Sequence, residues 1–250
     1  MNFLFFKGIL GQLSGFVKVI PSYIKFKLSP DKYTLDEKFK IVQNHATKSL
    51  EDANIELIVS GYENLPDTNV LFVANHANWV DAFIMLSIVD RPVGMIIAKE
   101  ANWEKFSLIK GWSNMINCLY LDRKNNRNAI KTMNIASEIL KTKSSMGVFP
   151  EGIVTRSDSL VNFKDGAFRM AIKAQVPVVP IVIKNSKDVF VPSSRWLGNL
   201  YSPTVHIEIL PPVYDHMENV KMKTKELSTI VKSNMLHSIN DTLCTNSNIS

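Results

Sequence analysis

Apolar positions along the chain fall into two rhythms. Short apolar runs, each bounded by polar residues or by proline and glycine, occur at 55–59, 70–74, 93–98, 116–121, 146–149, 178–183 and 205–210. These are of strand length. Between them, stretches near 79–89, 126–142 and 166–174 carry apolar residues at helical spacing. Ahead of the first run, Thr34 followed by Glu37 reads as a capping box, and Leu35, Phe39, Val42, Ala46 and Leu50 continue it as a helix over about 34–53. Leu227, Ile230, Val231, Leu236, Ile239 and Leu243 mark a closing helix over about 221–244. Strands alternating with helices predict an α/β fold: a mixed, mostly parallel central sheet of about seven strands flanked by helices.

The first thirty residues follow a different pattern. Lys7, Gly11, Ser14, Lys18, Ser22 and Lys25 recur every three or four residues, and Phe6, Ile9, Leu10, Leu13, Phe16, Val17 and Ile20 cover much of the rest. On a helix this gives one small-or-polar stripe against a broad apolar face. Lysines interrupt the apolar run before it reaches the roughly 18–20 residues a span needs, so the segment is expected to lie on a membrane rather than cross it. It contains no acid and six aromatics (Phe3, Phe5, Phe6, Phe16, Tyr23 and Phe26), which favours lipid over packing against the body as the surface it meets. Pro21 is expected to bend or end the helix. A cleaved signal peptide fits less well, because no charged region precedes the apolar stretch and no small-x-small site follows it.

The chain therefore divides into a membrane-surface segment, 1–30, and one catalytic domain, 31–250, whose motif-bearing core is about 55–213. With 29 Lys and Arg against 23 Asp and Glu, the net charge is +6. That balance favours anionic partners such as phosphate esters, anionic lipid or an acidic carrier protein. Nucleic acid is not expected, for lack of a recognition motif. Cys118 and Cys244 form neither a disulfide framework nor a metal-binding spacing. Together these features predict membrane association, peripheral or monotopic, on the cytoplasmic face.

The candidate chemistry sits at the ends of apolar runs, where α/β folds place ligands. Run 70–74 leads directly into Asn75-His76-Ala77-Asn78-Trp79-Val80-Asp81. On one continuous helix His76 and Asp81 would lie on different faces. If instead the chain bends after the strand and a helix starts near Asn78, the carboxylate can turn back to the imidazole. Acyl transfer from a thioester to an alcohol needs such a base, because the hydroxyl proton must leave as the carbonyl is attacked. No serine nucleophile is then required. Run 146–149 leads into Phe149-Pro150-Glu151-Gly152, followed by Thr155-Arg156-Ser157 and Lys164, and run 116–121 ends in Leu121-Asp122-Arg123. A glutamate there can bind acceptor hydroxyls, and Arg156 and Lys164 can hold a phosphate by charge-assisted bonds.

These residues resemble the glycerolipid acyltransferase family, the lysophosphatidic acid acyltransferases and their relatives. Four blocks occur in the family's order: Asn75-His76 with Asp81, Tyr120-Leu121-Asp122-Arg123, Phe149-Pro150-Glu151-Gly152 with Thr155-Arg156-Ser157, and Val179-Pro180-Ile181. The resemblance implies His76 as base and Asp81 as its orienting partner. It implies Arg123, Glu151 and Arg156 around the acceptor's glycerol phosphate, with no metal or prosthetic group, and Asn75, Gly152, Thr155 and Lys164 complete the candidate substrate-binding set. The partners it implies are a lysophospholipid acceptor, most directly lysophosphatidic acid, and acyl-CoA or acyl-carrier protein as donor.

The chain departs from the family twice. Asn117 stands where the family usually has glycine, three residues before Tyr120. Ile153 and Val154 follow Gly152 where the family often has Thr-Arg, either as an insertion or as a replacement. Another lysolipid, such as a lyso-ornithine lipid, is the alternative acceptor. A thioesterase and a non-catalytic lipid-surface protein are the competing classes.

Overall fold

A computed structural model of the chain describes residues 20–101, 105, 107–157, 159–189 and 204–246. Helical residues 20–28, the described part of α1, lead into α2 (Leu35–Asp52). Thr34 starts α2: its Oγ1 accepts from Glu37 N at 3.2 Å, while its own N–H donates to Glu37 Oε2 at 2.7 Å. The expected capping box is therefore formed. Then come β1 (Glu56–Ser60), β2 (Leu71–Ala74), α3 (Asp81–Ile88), β3 (Val93–Ala98), α4 (Ser107–Met115), β4 (Leu119–Leu121), α5 (Asn126–Thr142) and β5 (Ser145–Val148). The chain closes with a 3-10 turn at Asp165–Phe168, α6 (Arg169–Ala174), β6 (Val178–Lys184), β7 (Thr204–Ile209), α7 (Asp215–Glu218) and α8 (Thr224–Asn246).

The seven strands form one sheet in the order β1-β7-β6-β2-β5-β3-β4, antiparallel only between β6 and β7. Both faces are covered, so β2 is buried along its whole length and reads as a continuous apolar run rather than an alternating one. Val70, Phe72 and Ala74 point into a cluster with α2 and α3, where Phe39 and Ile84 meet them. Leu71 and Val73 point the other way, onto Met133 and Leu140 of α5, Met170 of α6 and Leu227 of α8. Each of the larger side chains among them contributes about 1.5–3 kcal/mol by leaving water. β2 lies between β5 and β6, so its C-terminal end falls in the middle of the sheet edge that carries the loops.

Two local features differ from the sequence reading. The run at 116–121 yields a strand only from Leu119, because Asn117 is left-handed (φ 63°) and turns the chain out of α4. Asparagine is the side chain that tolerates this conformation best after glycine, which accounts for Asn117 in the family's glycine position. The turn also runs tight against β3: a Cβ on Gly94 would lie 2.4 Å from Asn117 O. Helix α4 has no counterpart in the sequence reading. It carries Gly111 at its centre, a poor helix residue, and the Tyr23 ring packs into the space a Cβ there would take, 2.3 Å from it.

The N-terminal expectation falls largely on residues 1–19, outside the described residues. Within α1, Pro21 lies inside the helical stretch, and both described aromatics pack on protein. Phe26 is buried against Tyr33 and Trp112, with ring centroids at 4.7 and 5.9 Å, and Tyr23 lies 6.0 Å from Trp112. Ile24 and Leu28 face outward. Among the described residues no helix is long and apolar enough to cross a membrane.

Candidate active site

The turn after β2 brings His76 and Asp81 together. Asn75, the first residue beyond the strand, uses both ends of its amide on β6: Nδ2 donates to Ile183 O and Oδ1 accepts from Ile183 N, each at 2.8 Å. Asn78 is buried, and its Nδ2 donates to Ser186 O and Val189 O, both at 2.9 Å. With the chain pinned at these two points, α3 begins at Asp81, and its carboxylate folds back to accept the Asn78 N–H at 2.8 Å. The same Oδ2 lies 3.1 Å from His76 Nδ1. A buried carboxylate oxygen in this position accepts from the ring, which fixes hydrogen on Nδ1 and leaves the Nε2 lone pair free to act. Asp81 is fully buried, whereas the His76 side chain keeps 17% exposure.

The loop after β5 supplies the opposite wall. Phe149 stacks on the imidazole at 4.1 Å and 13°, holding the ring plane. Glu151 is 3% exposed and takes the His76 backbone N–H on Oε1 at 3.1 Å, with the Val161 backbone also turned toward its carboxyl. Burial pushes this carboxyl up to about 7, against the opposing pull of the His76 amide and imidazole. A buried carboxyl beside an imidazole can exchange hydrogen bonds with a hydroxyl that reaches it.

Gly152 is left-handed (φ 71°) and receives Arg123 Nη1 on its carbonyl. A Cβ on it would sit 3.2 Å from Arg123 Nη1 and 3.8 Å from Lys164 Cγ, so the Arg123 guanidinium and the aliphatic stem of Lys164 border the glycine. Arg123 also donates from Nε to Glu100 Oε2 at 3.3 Å. Lys164 N donates to Pro150 O at 2.7 Å, which folds the far end of the loop back on its start. Thr155 donates to His76 O from its backbone N at 2.8 Å and from Oγ1 at 3.2 Å, clamping the loop to the base. Arg156 follows with φ 54° and an exposed side chain.

The structure thus gathers His76, Asp81, Glu151, Gly152, Thr155, Arg123 and the Lys164 stem. Asn75 stands behind them with its amide engaged on β6, and the Arg156 side chain reaches into solvent. Three contributors had no role in the sequence reading: Phe149, Asn78 and Glu100. Phe149 and Asn78 lie inside the quoted motifs, but stacking and carbonyl capping have no pattern in sequence. Beyond Arg123, a cavity of about 400 Å³ between α4 and α5 is lined by Lys99, Lys110, Lys131, Tyr120 and Asp122 among others. Among the described residues no group of three or more His, Cys, Asp or Glu side chains is placed to hold a metal ion.

A carboxylate-oriented imidazole at a strand end, in an α/β sheet beside a guanidinium, is an arrangement that can accept a proton from a hydroxyl. The sequence model of the Acyltransferase family matches residues 56–184, just over half of the chain. The chain belongs to the acyltransferase family.

The chain is 29% identical over 193 residues to the probable 1-acyl-sn-glycerol-3-phosphate acyltransferase of Mycoplasma pneumoniae, covering 70% of this chain and 71% of that one. It is 30% identical over 161 residues to the human 1-acyl-sn-glycerol-3-phosphate acyltransferase alpha, covering 64% and 55%. To the Escherichia coli K12 1-acyl-sn-glycerol-3-phosphate acyltransferase it is 30% identical over 168 residues, covering 67% and 65%. In fold it is similar to the crystal structure of the 1-acyl-sn-glycerophosphate acyltransferase PlsC from Thermotoga maritima. That similarity has a TM-score of 0.72 at 23% identity, covering 95% of this chain and 97% of that one.

Proposed function

We propose that the protein transfers a fatty acyl group from a thioester donor to the free hydroxyl of 1-acylglycerol 3-phosphate, giving phosphatidic acid. The observation that carries this reading is the His76–Asp81 pair at 3.1 Å, beside the buried Glu151 carboxylate and the Arg123–Lys164 rim. His76 Nε2 takes the hydroxyl proton as the acceptor oxygen attacks the thioester carbonyl. The tetrahedral adduct then collapses, the C–S bond breaks, and the imidazolium returns the proton to the leaving thiolate. Asp81 holds the ring in the tautomer this step needs, and Phe149 holds its plane. Glu151 suits the acceptor's glycerol oxygens, and Arg123 and Lys164, with Arg156 at the rim, suit its phosphate.

No prosthetic group is invoked in this reaction. The lysines of the neighbouring cavity favour an anionic donor, acyl-CoA or acyl-carrier protein. Both lysolipid substrate and product are amphiphiles, so the reaction is assigned to a membrane surface.

The test is donor turnover with and without acceptor, followed by mass spectrometry of the lipid. Wild-type protein is expected to release thiol only when lysophosphatidate is present and to form phosphatidate. His76→Ala is expected to lose about 10²–10⁴-fold in rate while still binding lipid. Equal rates from both proteins would sink the base assignment, and thiol release without acceptor would make the protein a thioesterase.

A further inference from the structure

β4 is three residues long and ends the sheet, with a neighbouring strand on one side only. Its pairing with β3 stops at Ala98 opposite Leu121. Arg123, the guanidinium beside Gly152, therefore stands beyond the last backbone rung. Side chains continue the ladder past that point. Lys99 Nζ lies 3.9 Å from Asp122 Oδ2, and Arg123 Nε donates to Glu100 Oε2 at 3.3 Å. The two pairs join consecutive residues after β3 to consecutive residues after β4, with the signs alternating. A slip of one residue either way sets like charges opposite each other, Lys99 against Arg123 or Glu100 against Asp122. The charges thus favour a single register where the backbone ladder has ended.

A guanidinium offers five N–H donors in one plane. Glu100 takes the one on Nε, and the Gly152 carbonyl takes one on Nη1, so the head is held at two points. The described contacts leave three donors, two of them on Nη2, for the charge-assisted bonds a phosphate makes. The Arg123 side chain is 35% exposed, so an incoming anion can reach them. Without Glu100 the head is free to swing on its long stem, and the freedom then lost on binding weakens the contact. We propose that Glu100 is a positioning residue for the acceptor, holding the Arg123 guanidinium so that its remaining donors face the acceptor's phosphate. This rests on the reading of Arg123 as a phosphate ligand given above. Glu100 acts through Arg123 and not on the substrate.

The test varies lysophosphatidate at saturating acyl donor, on the full chain. Glu100→Ala is expected to raise KM for the acceptor about 5-fold, the effect one partly exposed ion pair can carry, and to leave kcat within about 2-fold of wild type. Glu100→Gln keeps an oxygen for the Nε hydrogen, so its KM is expected to return most of the way to the wild-type value. In an Arg123→Ala background, Glu100→Ala is expected to change KM no further, because the group it positions is gone. An unchanged KM in Glu100→Ala overturns the proposal. So does a lowered KM, which would mean that the carboxylate competes with phosphate, and so do additive effects of the two alanines. If wild-type protein forms no phosphatidate, the reaction reading fails on its own. Calorimetric titration of lysophosphatidate without donor then decides: binding by Glu100→Ala about 5-fold weaker than wild type supports the proposal, and equal binding overturns it.

Discussion

At the scale of single residues, the behaviour of Glu151 follows from its position under the His76 backbone. Burial lifts its carboxyl from an ordinary 4.5 to about 7, so between those values the folded protein holds a proton that the unfolded chain has released. Its contribution to stability is complete below about pH 4.5, declines as pH rises, and is gone above about pH 7. Glutamine keeps the acceptor for the His76 N–H and has no proton to lose. Urea unfolding of wild type and Glu151→Gln is therefore expected to shift in the variant's favour, by on the order of 2–3 kcal/mol, between about pH 4.5 and pH 8. A difference between the two proteins that stays constant with pH would show that the carboxylate is better solvated than its 3% exposure implies. The residue types at 76, 81 and 151 were legible in sequence, because an imidazole and carboxylates at the ends of apolar runs are chemically recognisable. Asn78 and Phe149 were not legible in role. Their work is done on the carbonyls of residues 186 and 189, more than a hundred positions away, and on the face of a ring.

At the scale of elements, the turn between α4 and β4 shows how a departure from the family pattern is accommodated. Asn117 adopts φ 63°, donates from Nδ2 to Ser144 Oγ at 3.2 Å, and lets its carbonyl approach Gly94 closely. Asn117→Gly frees the backbone strain and loses one hydrogen bond, two changes of similar size, so its thermal midpoint is expected near wild type. Asn117→Ala keeps the strain and loses the bond, and is expected to be less stable than the glycine variant by about 1 kcal/mol. Calorimetry on the pair checks this, and the reverse ranking would mean that the turn is not held left-handed in solution. The start of α2 was readable from Thr34 and Glu37 because a capping box is local. Helix α4 was not, because Gly111 is explained only by the Tyr23 ring that lies against it.

At the scale of the whole molecule, the site depends on two cores that grip the sheet from opposite faces. The core containing α5, α6 and α8 also holds Phe163 and Phe168, which flank the end of the Glu151 loop. Leu227 of α8 is fully buried in that core. Leu227→Ala is expected to cost about 2–5 kcal/mol in chemical denaturation. A loss well under 1 kcal/mol would mean that α8 contributes little to holding this face.

The sequence by itself determined the alternation of strands and helices and the chemical types available at each strand end. These are properties of local periodicity and side-chain identity, written into neighbouring residues. Only the tertiary structure decided that four separate strand ends meet at one edge, with Asp81 turned back on His76 and Arg123 brought to Gly152. It also decided that Ile153 and Val154 point out to solvent while the runs of the same residue types at 70–74 and 178–183 are buried. Those outcomes depend on strand order and on contacts between residues distant along the chain, which no local pattern encodes.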